Sequence, residues 1–142
     1  MFYHQSPNPY LVTSTLTFVI PLYYANLLQI WSTQYVFGSL IIASSAYHMT
    51  KHPLLYYTDQ CMVAALIYRS IIDGLAGGHI CTSITAFINI LCGYLYYYGR
   101  LKQSLIWSPD FYTATASHAC MHSLVAIGYT TLLYFYPMPR VH

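Results

Sequence analysis

Long apolar runs dominate the chain, and short segments rich in polar residues, glycine or proline separate them. Five runs can be distinguished, at residues 10–32, 33–49, 54–73, 76–98 and 114–136. Each is roughly 20 residues long, the length of an α-helix that crosses the hydrocarbon core of a bilayer. The runs lack the alternation of apolar and polar positions typical of a membrane β-barrel, so we expect each to be helical. The pattern predicts an all-α fold, in which residues 1–142 form a single domain of about five transmembrane helices.

Proline and glycine residues refine the boundaries of these runs. Pro53 marks the start of the third run, because proline is well tolerated in the first turn of a helix. Pro21 lies at the centre of the first run, where it predicts a kink. Gly74, Gly77 and Gly78 predict the turn into the fourth run. The only sizeable loop, GRLKQSLIWSPDFYT at residues 99–113, is expected to lie along the membrane interface.

The composition supports an integral, multi-pass membrane protein. Only 6% of the residues are charged and 57% are hydrophobic, whereas a soluble domain carries about 25% charged residues. The 17 tyrosines suit the headgroup region, where amphipathic aromatic rings accumulate. A net charge of +2 without a cluster of Lys or Arg argues against a nucleic-acid partner.

Four ionisable side chains fall at similar depths near one membrane face. His48 lies at the end of the second run, and Asp59 lies about 9 Å into the third at 1.5 Å per residue. His118 and His122 lie a similar distance into the fifth run. With five spans, the loop after the second run and the loop before the fifth run lie on the same side of the membrane. The depths are measured from these two loops, so we expect the four side chains to converge.

The spacing of the histidines indicates a metal site. His118 and His122 are four residues apart and share one helical face, as do Ser44 and His48. Two imidazoles on one face can hold one metal, as in other helical zinc sites. His48 would complete a three-histidine site whose fourth position stays open, which is typical of catalytic zinc.

A general base for such a site has to be an aspartate. The chain contains no glutamate, which excludes the HExxH pattern of metalloproteases. Asp73 and Asp110 are expected at loops, which leaves Asp59. A less specific interpretation remains for each residue, because histidine and serine also form helix–helix hydrogen bonds in membranes.

Other polar residues are expected to lie outside this site. Pro53 disfavours helical geometry at His52, which predicts an interfacial loop position. His79 follows two glycines at the opposite membrane face. Arg69 is expected to snorkel towards the headgroups, with Asp73 one turn on as its possible partner.

The ordered set of motifs resembles the CREST superfamily of membrane hydrolases. The set consists of Ser-x-x-x-His at Ser44 and His48, an aspartate eleven residues on at Asp59, and His-x-x-x-His at His118 and His122. This superfamily includes alkaline ceramidases, GPI-remodelling lipases and progestin/adipoQ receptors, and the gap of eleven is most similar to the first two. Its typical members have seven spans, whereas this chain has room for about five. The two helices that would complete the wall of the lipid cavity are missing, and a homo-oligomer could supply that wall.

The resemblance implies roles for the five residues. His48, His118 and His122 would bind Zn²⁺, and Asp59 would hold and deprotonate the metal-bound water. Ser44 would donate a hydrogen bond to the developing oxyanion.

We therefore expect a zinc-dependent intramembrane hydrolase that cleaves an amide or ester bond of a membrane lipid substrate. One alternative is a receptor-like or structural protein without turnover, in which zinc pins the helices. Another is a b-type cytochrome with haem held between His48 and His118.

Overall fold

The computed structural model describes residues 7–137, which form α-helices and short 3-10 turns without any strand. The first helical rod consists of α1 (Pro9–Thr15), a 3-10 turn (Leu16–Phe18) and α2 (Val19–Leu27), which follow one another without a loop. Four longer helices complete the fold: α3 (Trp31–Thr50), α4 (Pro53–Ala76), α5 (His79–Lys102) and α6 (Phe111–Phe135). The all-α prediction is thus confirmed for the described residues.

The first rod is irregular one turn before Pro21. Proline lacks an N–H group and its ring crowds the carbonyl group four residues earlier, which here belongs to Thr17 in the 3-10 turn. The rod also ends earlier than the predicted residue 32. Gln29 has a φ of 56°, a left-handed conformation that does not continue a helix, and α3 then begins at Trp31.

Two very short connections make α3, α4 and α5 antiparallel neighbours. Lys51 ends α3 with a φ of 54°, and Pro53 opens α4 in its first turn. Gly78 connects α4 to α5 with a φ of 85°, which suits a residue without a side chain.

The predicted loop at 99–113 is shorter in the structure, because α5 continues to Lys102. Its last turn contains Arg100 and Lys102, and positive charges are favourable at the C-terminal end of a helix dipole. The remaining connection to α6 contains a 3-10 turn at Leu105–Trp107.

The five rods form a closed ring. α4 packs between α3 and α5, α5 packs against α6, and the rod formed by α1 and α2 contacts both α3 and α6. Buried side chains fill the space between the first rod, α3 and α6; they include Phe18, Ala25, Phe37, Leu40, Leu132 and Leu133.

The prediction that Asp73 lies at a loop is wrong, because Asp73 is part of a buried polar cluster. Asp73 belongs to α4 and is completely buried. Its Oδ2 atom accepts hydrogen bonds from Thr33 Oγ1 at 2.8 Å and from Tyr129 Oη at 2.5 Å. Arg69, one helical turn earlier, forms an ion pair with Asp73 Oδ1. This Asp73 cluster joins α3, α4 and α6.

Among the helices within residues 7–137, one is long and apolar enough to cross a membrane. It comprises α5 and the following turn, His79–Trp107, and contains an 18-residue stretch with a mean hydropathy of 1.4. Large apolar side chains are nonetheless exposed on other helices; Ile42 on α3 is 73% exposed and Tyr112 on α6 is 79% exposed. The multi-pass membrane bundle stays a prediction.

Candidate metal centre

Three histidines from two helices meet near one end of the bundle. His48 lies in the last turn of α3 and is completely buried. Its ring centroid is 5.0 Å from that of His118 and 5.8 Å from that of His122, both on α6. One ring nitrogen from each histidine lies within 4.8 Å of the other two. The histidines predicted as ligands thus come together in a group that could hold a metal ion.

The two nitrogens of His48 have different surroundings. Nδ1 lies 3.1 Å from Lys51 Nζ, whereas Nε2 is buried without a hydrogen-bond partner in the described part of the chain. Burial lowers the pKa of the Lys51 ammonium group, and the nearby Asp59 carboxylate opposes this shift. A buried nitrogen without a partner is energetically unfavourable, and Nε2 is therefore the natural metal-binding atom of His48.

Asp59 is the one of the three aspartates that lines a cavity together with His118 and His122. It is only 5% exposed, and its Oδ1 atom has no hydrogen-bond partner within residues 7–137. Ser44, which is 1% exposed, and Gln60 interact with its carboxyl group. Asp110 instead caps α6, where its exposed side chain accepts a hydrogen bond from Thr113 N at 2.7 Å. Asp73 belongs to the separate Asp73 cluster.

Residues of α3, α4, α5 and α6 enclose a cavity of about 490 Å³. Ser44, Asp59, His118 and His122 line one part of it. Apolar side chains make up most of the remaining wall; they include Val63, Leu66, Ile67, Ile84, Ile88, Met121 and Val125. The volume lies within the range of about 300–1,000 Å³ found for small-molecule sites. The polar groups can thus act on a mostly apolar molecule bound in the cavity.

Two further histidines lie apart from the centre, as predicted from the sequence. His52 is exposed and caps α4 by accepting a hydrogen bond from Leu54 N at 3.2 Å. His79 is the exposed first residue of α5. Neither belongs to the group of potential metal ligands.

The arrangement does not suit haem between His48 and His118. The ring planes of these residues are inclined by 82° and their centroids are 5.0 Å apart. Axial ligands on opposite faces of a haem need the whole macrocycle between them. Rings this close leave no space for it.

The sequence did not reveal two side chains that contact the histidines. Ser14 on α1 lies 2.8 Å from His122 Nδ1 through its Oγ atom, and Lys51 contacts His48. The proximity of Lys51 to His48 in the sequence is a weak signal that could have been used. Ser14 lies far from His122 in the sequence, and helix hydroxyl groups are common, so no pattern distinguishes it.

Comparison with known proteins adds no family name to this geometry. No protein-family model matches the chain, and no curated protein or solved structure gives a match. Any argument about function therefore depends on the histidine group and on the residues that line the cavity.

Proposed function

We propose that this chain is a zinc-dependent membrane hydrolase that cleaves an amide or ester bond of a lipid. The observation that carries the proposal is that His118, His122 and the buried Asp59 line one mostly apolar cavity, while His48 completes a group of three imidazoles with the two histidines. It is also the residue set by which the chain resembles the CREST superfamily. Other features of the fold support individual parts of the proposal.

The donor set fits a zinc ion held by His48, His118 and His122. Zinc–imidazole bonds of about 2.0–2.1 Å in a tetrahedral site place two ligating nitrogens about 3.4 Å apart. The ligand atoms lie within 4.8 Å of one another, so the rings would have to rotate and bring their nitrogens closer by up to about 1.4 Å to bind one ion. The unpartnered Nε2 atom of His48 supports the same assignment. A bound zinc ion would polarise the substrate carbonyl and lower the pKa of a coordinated water.

Asp59 would move the proton during hydrolysis. Its unpartnered Oδ1 atom can take a proton from the attacking water. The same carboxyl group can then give that proton to the leaving amine or alcohol as the C–N or C–O bond breaks. The hydroxide remains on the acyl carbon, so the products are a carboxylic acid and the protonated leaving group.

Ser44 would stabilise charge on the substrate oxygen. It lies one turn before His48 on α3, is almost fully buried and lines the cavity. A preorganised hydroxyl group at such a place can donate a hydrogen bond to an oxygen that becomes negative in the transition state.

The outward-facing surface supports placement in a multi-pass membrane protein. Large apolar residues are exposed on each of the five rods; examples are Ile20, Ile42, Tyr68, Ile90 and Ile127. Exposed apolar surface on this scale is unfavourable in water. In a bilayer it would face lipid, and a lipid substrate could reach the cavity from the same phase.

Metal content tests the proposal most directly. Elemental analysis of detergent-purified protein should find about one zinc ion per chain, as in other three-histidine sites. The His118→Ala variant should lose the metal, whereas His52→Ala, which changes an exposed histidine outside the group, should retain it. Wild-type protein that is purified with zinc in the buffer and still contains none would refute the proposal.

A metal-pinned structural or receptor-like protein is the second candidate. It is favoured by the position of the histidines, which link the end of α3 to α6. Under this alternative the metal would matter for helix packing, and the Asp59 carboxyl group would not be needed for a chemical step. Zinc-loaded protein that is folded but inactive on ceramides and phospholipids would favour it.

A further inference from the structure

The N-terminal helix contacts the metal centre through one hydroxyl group. Ser14, in the last turn of α1, is half-buried and contacts α6. Its Oγ atom lies 2.8 Å from Nδ1 of His122. Either atom of such a pair can be the donor, because neutral imidazole carries its proton on one nitrogen or on the other.

A second hydrogen bond of Ser14 decides the direction. The Ser14 hydroxyl group also lies 2.8 Å from the carbonyl oxygen of Leu11, and it donates to that oxygen because a carbonyl group can only accept. A serine hydroxyl group has one proton. Its bond to Leu11 therefore leaves only lone pairs for His122. The proton between Ser14 and His122 has to come from Nδ1 of the imidazole.

This assignment fixes the tautomer of His122. A neutral imidazole with its proton on Nδ1 carries a lone pair on Nε2, and that lone pair is what a metal ion binds. We infer that Ser14 is a positioning residue of the metal centre, which holds His122 in the Nδ1–H tautomer so that Nε2 faces the metal. The inference rests on the proposed function, since it assigns Ser14 a role towards the same zinc ion.

The anchoring of α1 supports this role. The backbone N–H group of Asn8 donates to the carbonyl oxygen of His48 at 2.9 Å, and Asn8 Nδ2 donates to Thr115 Oγ1 on α6 at 2.8 Å. The start of α1 is thus attached to both helices that carry the histidines. Ser14 is held in register by the same helix, so its oxygen is presented to His122 at a fixed position. Such outer partners of metal-ligating histidines typically change metal affinity 10- to 100-fold.

Zinc affinity, measured by competition with a chromophoric chelator on detergent-solubilised protein, tests the inference. Ser14→Ala should raise the zinc Kd about 10- to 100-fold, and Ser14→Thr, which keeps a hydroxyl group, should restore most of the affinity. Thr13→Ala is the matched control, because the neighbouring Thr13 hydroxyl group is exposed and donates to the carbonyl oxygen of Pro9 in its own helix. Unchanged zinc affinity in a folded Ser14→Ala variant would overturn the inference and leave the proposed function intact.

A readout without metal separates the inference from the proposed function. Nitrogen NMR of protein labelled with ¹⁵N-histidine reports which nitrogen of His122 carries the proton. Metal-free wild type and Ser14→Thr should show the Nδ1–H form, whereas Ser14→Ala should show a mixture. An Nε2–H form of His122 in the wild type would overturn the inference. Wild-type protein with the expected tautomer but no affinity for zinc would contradict the proposed function, and only the assignment of the His122 tautomer to Ser14 would stand.

Discussion

The hydroxyl group of Tyr129 on α6 donates a hydrogen bond to the buried carboxylate of Asp73 on α4. Thr33 on α3 donates to the same oxygen, and Arg69 pairs with the other one. A charge that is completely buried requires such partners, because its desolvation is otherwise uncompensated. The three helices α3, α4 and α6 are therefore fixed to one another at Asp73.

Replacement of Asp73 should reveal the cost of breaking this cluster. Asp73→Ala leaves Arg69 partly buried without its counter-charge, and we expect a loss of about 3–5 kcal/mol in the free energy of unfolding. Denaturant titration of the detergent-solubilised protein, followed by circular dichroism, measures the change. Asp110→Ala is the control, because it removes an exposed helix cap, and the loss of such a cap typically costs about 1 kcal/mol. Equal losses for the two variants would contradict a structural role of the Asp73 cluster.

Asp59→Asn should separate metal binding from catalysis. The amide has nearly the shape of the carboxyl group but cannot accept the proton, so the hydrolysis rate should fall about 10²- to 10⁴-fold. The zinc content should stay at the wild-type level, because the proposed ligands are unchanged. Lipid hydrolysis and elemental analysis of the same preparation give both values. Undiminished turnover would rule out Asp59 as the base, whereas loss of zinc would make it a ligand.

Filling the cavity should impair the substrate site and spare the metal. Gly93 lines the cavity, and a Cβ atom built on it meets nothing within 4 Å. Gly93→Leu should raise the KM for a lipid substrate at least about tenfold, equivalent to 1.4 kcal/mol of lost binding, with an unchanged zinc content. Gly38→Leu is the control, since Gly38 has equal space but does not line the cavity. Equal KM values for the two variants would show that substrate does not occupy the cavity.

Gly74 should tolerate alanine poorly, although it lies within a helix. A Cβ atom there would lie 2.5 Å from Thr85 Oγ1 and 3.3 Å from the carbonyl oxygen of Cys81, so α4 and α5 would have to move apart. We expect Gly74→Ala to destabilise the fold by about 1–3 kcal/mol. Gly38→Ala has open space and should stabilise it by about 0.5–1 kcal/mol. Thermal unfolding of both variants provides the comparison.

The sequence predicted the number and type of the rods because apolar runs and helix-breaking residues are local signals. Pro53 and Gly78 lie where the structure starts or separates helices. Boundaries that depend on backbone conformation were missed. The left-handed turn at Gln29, for example, has no glycine to announce it.

The histidine group was predictable for a different reason. His118 and His122 share a face through their spacing, and the antiparallel order of the helices brings His48 to the same end. Asp73 was misplaced because Gly74, Gly77 and Gly78 follow it and resemble a helix end, whereas α4 includes Gly74 and continues to Ala76. Only the tertiary contacts with Thr33 and Tyr129 explain why a carboxylate is buried there. The contact of Ser14 with His122 could not be predicted for the same reason, because it joins distant parts of the chain.

The position of His48 and His118 on distant parts of the chain, seventy residues apart, makes a bound ion equivalent to a removable cross-link. In the chain-entropy model, closing a loop of this length disfavours the unfolded chain by about 4 kcal/mol. The ion would therefore hold α3 and α6 together much as a disulfide does, without any cysteine. Because a chelator could remove this link under mild conditions, the bundle could be loosened at one end and closed again by changing the supply of metal alone.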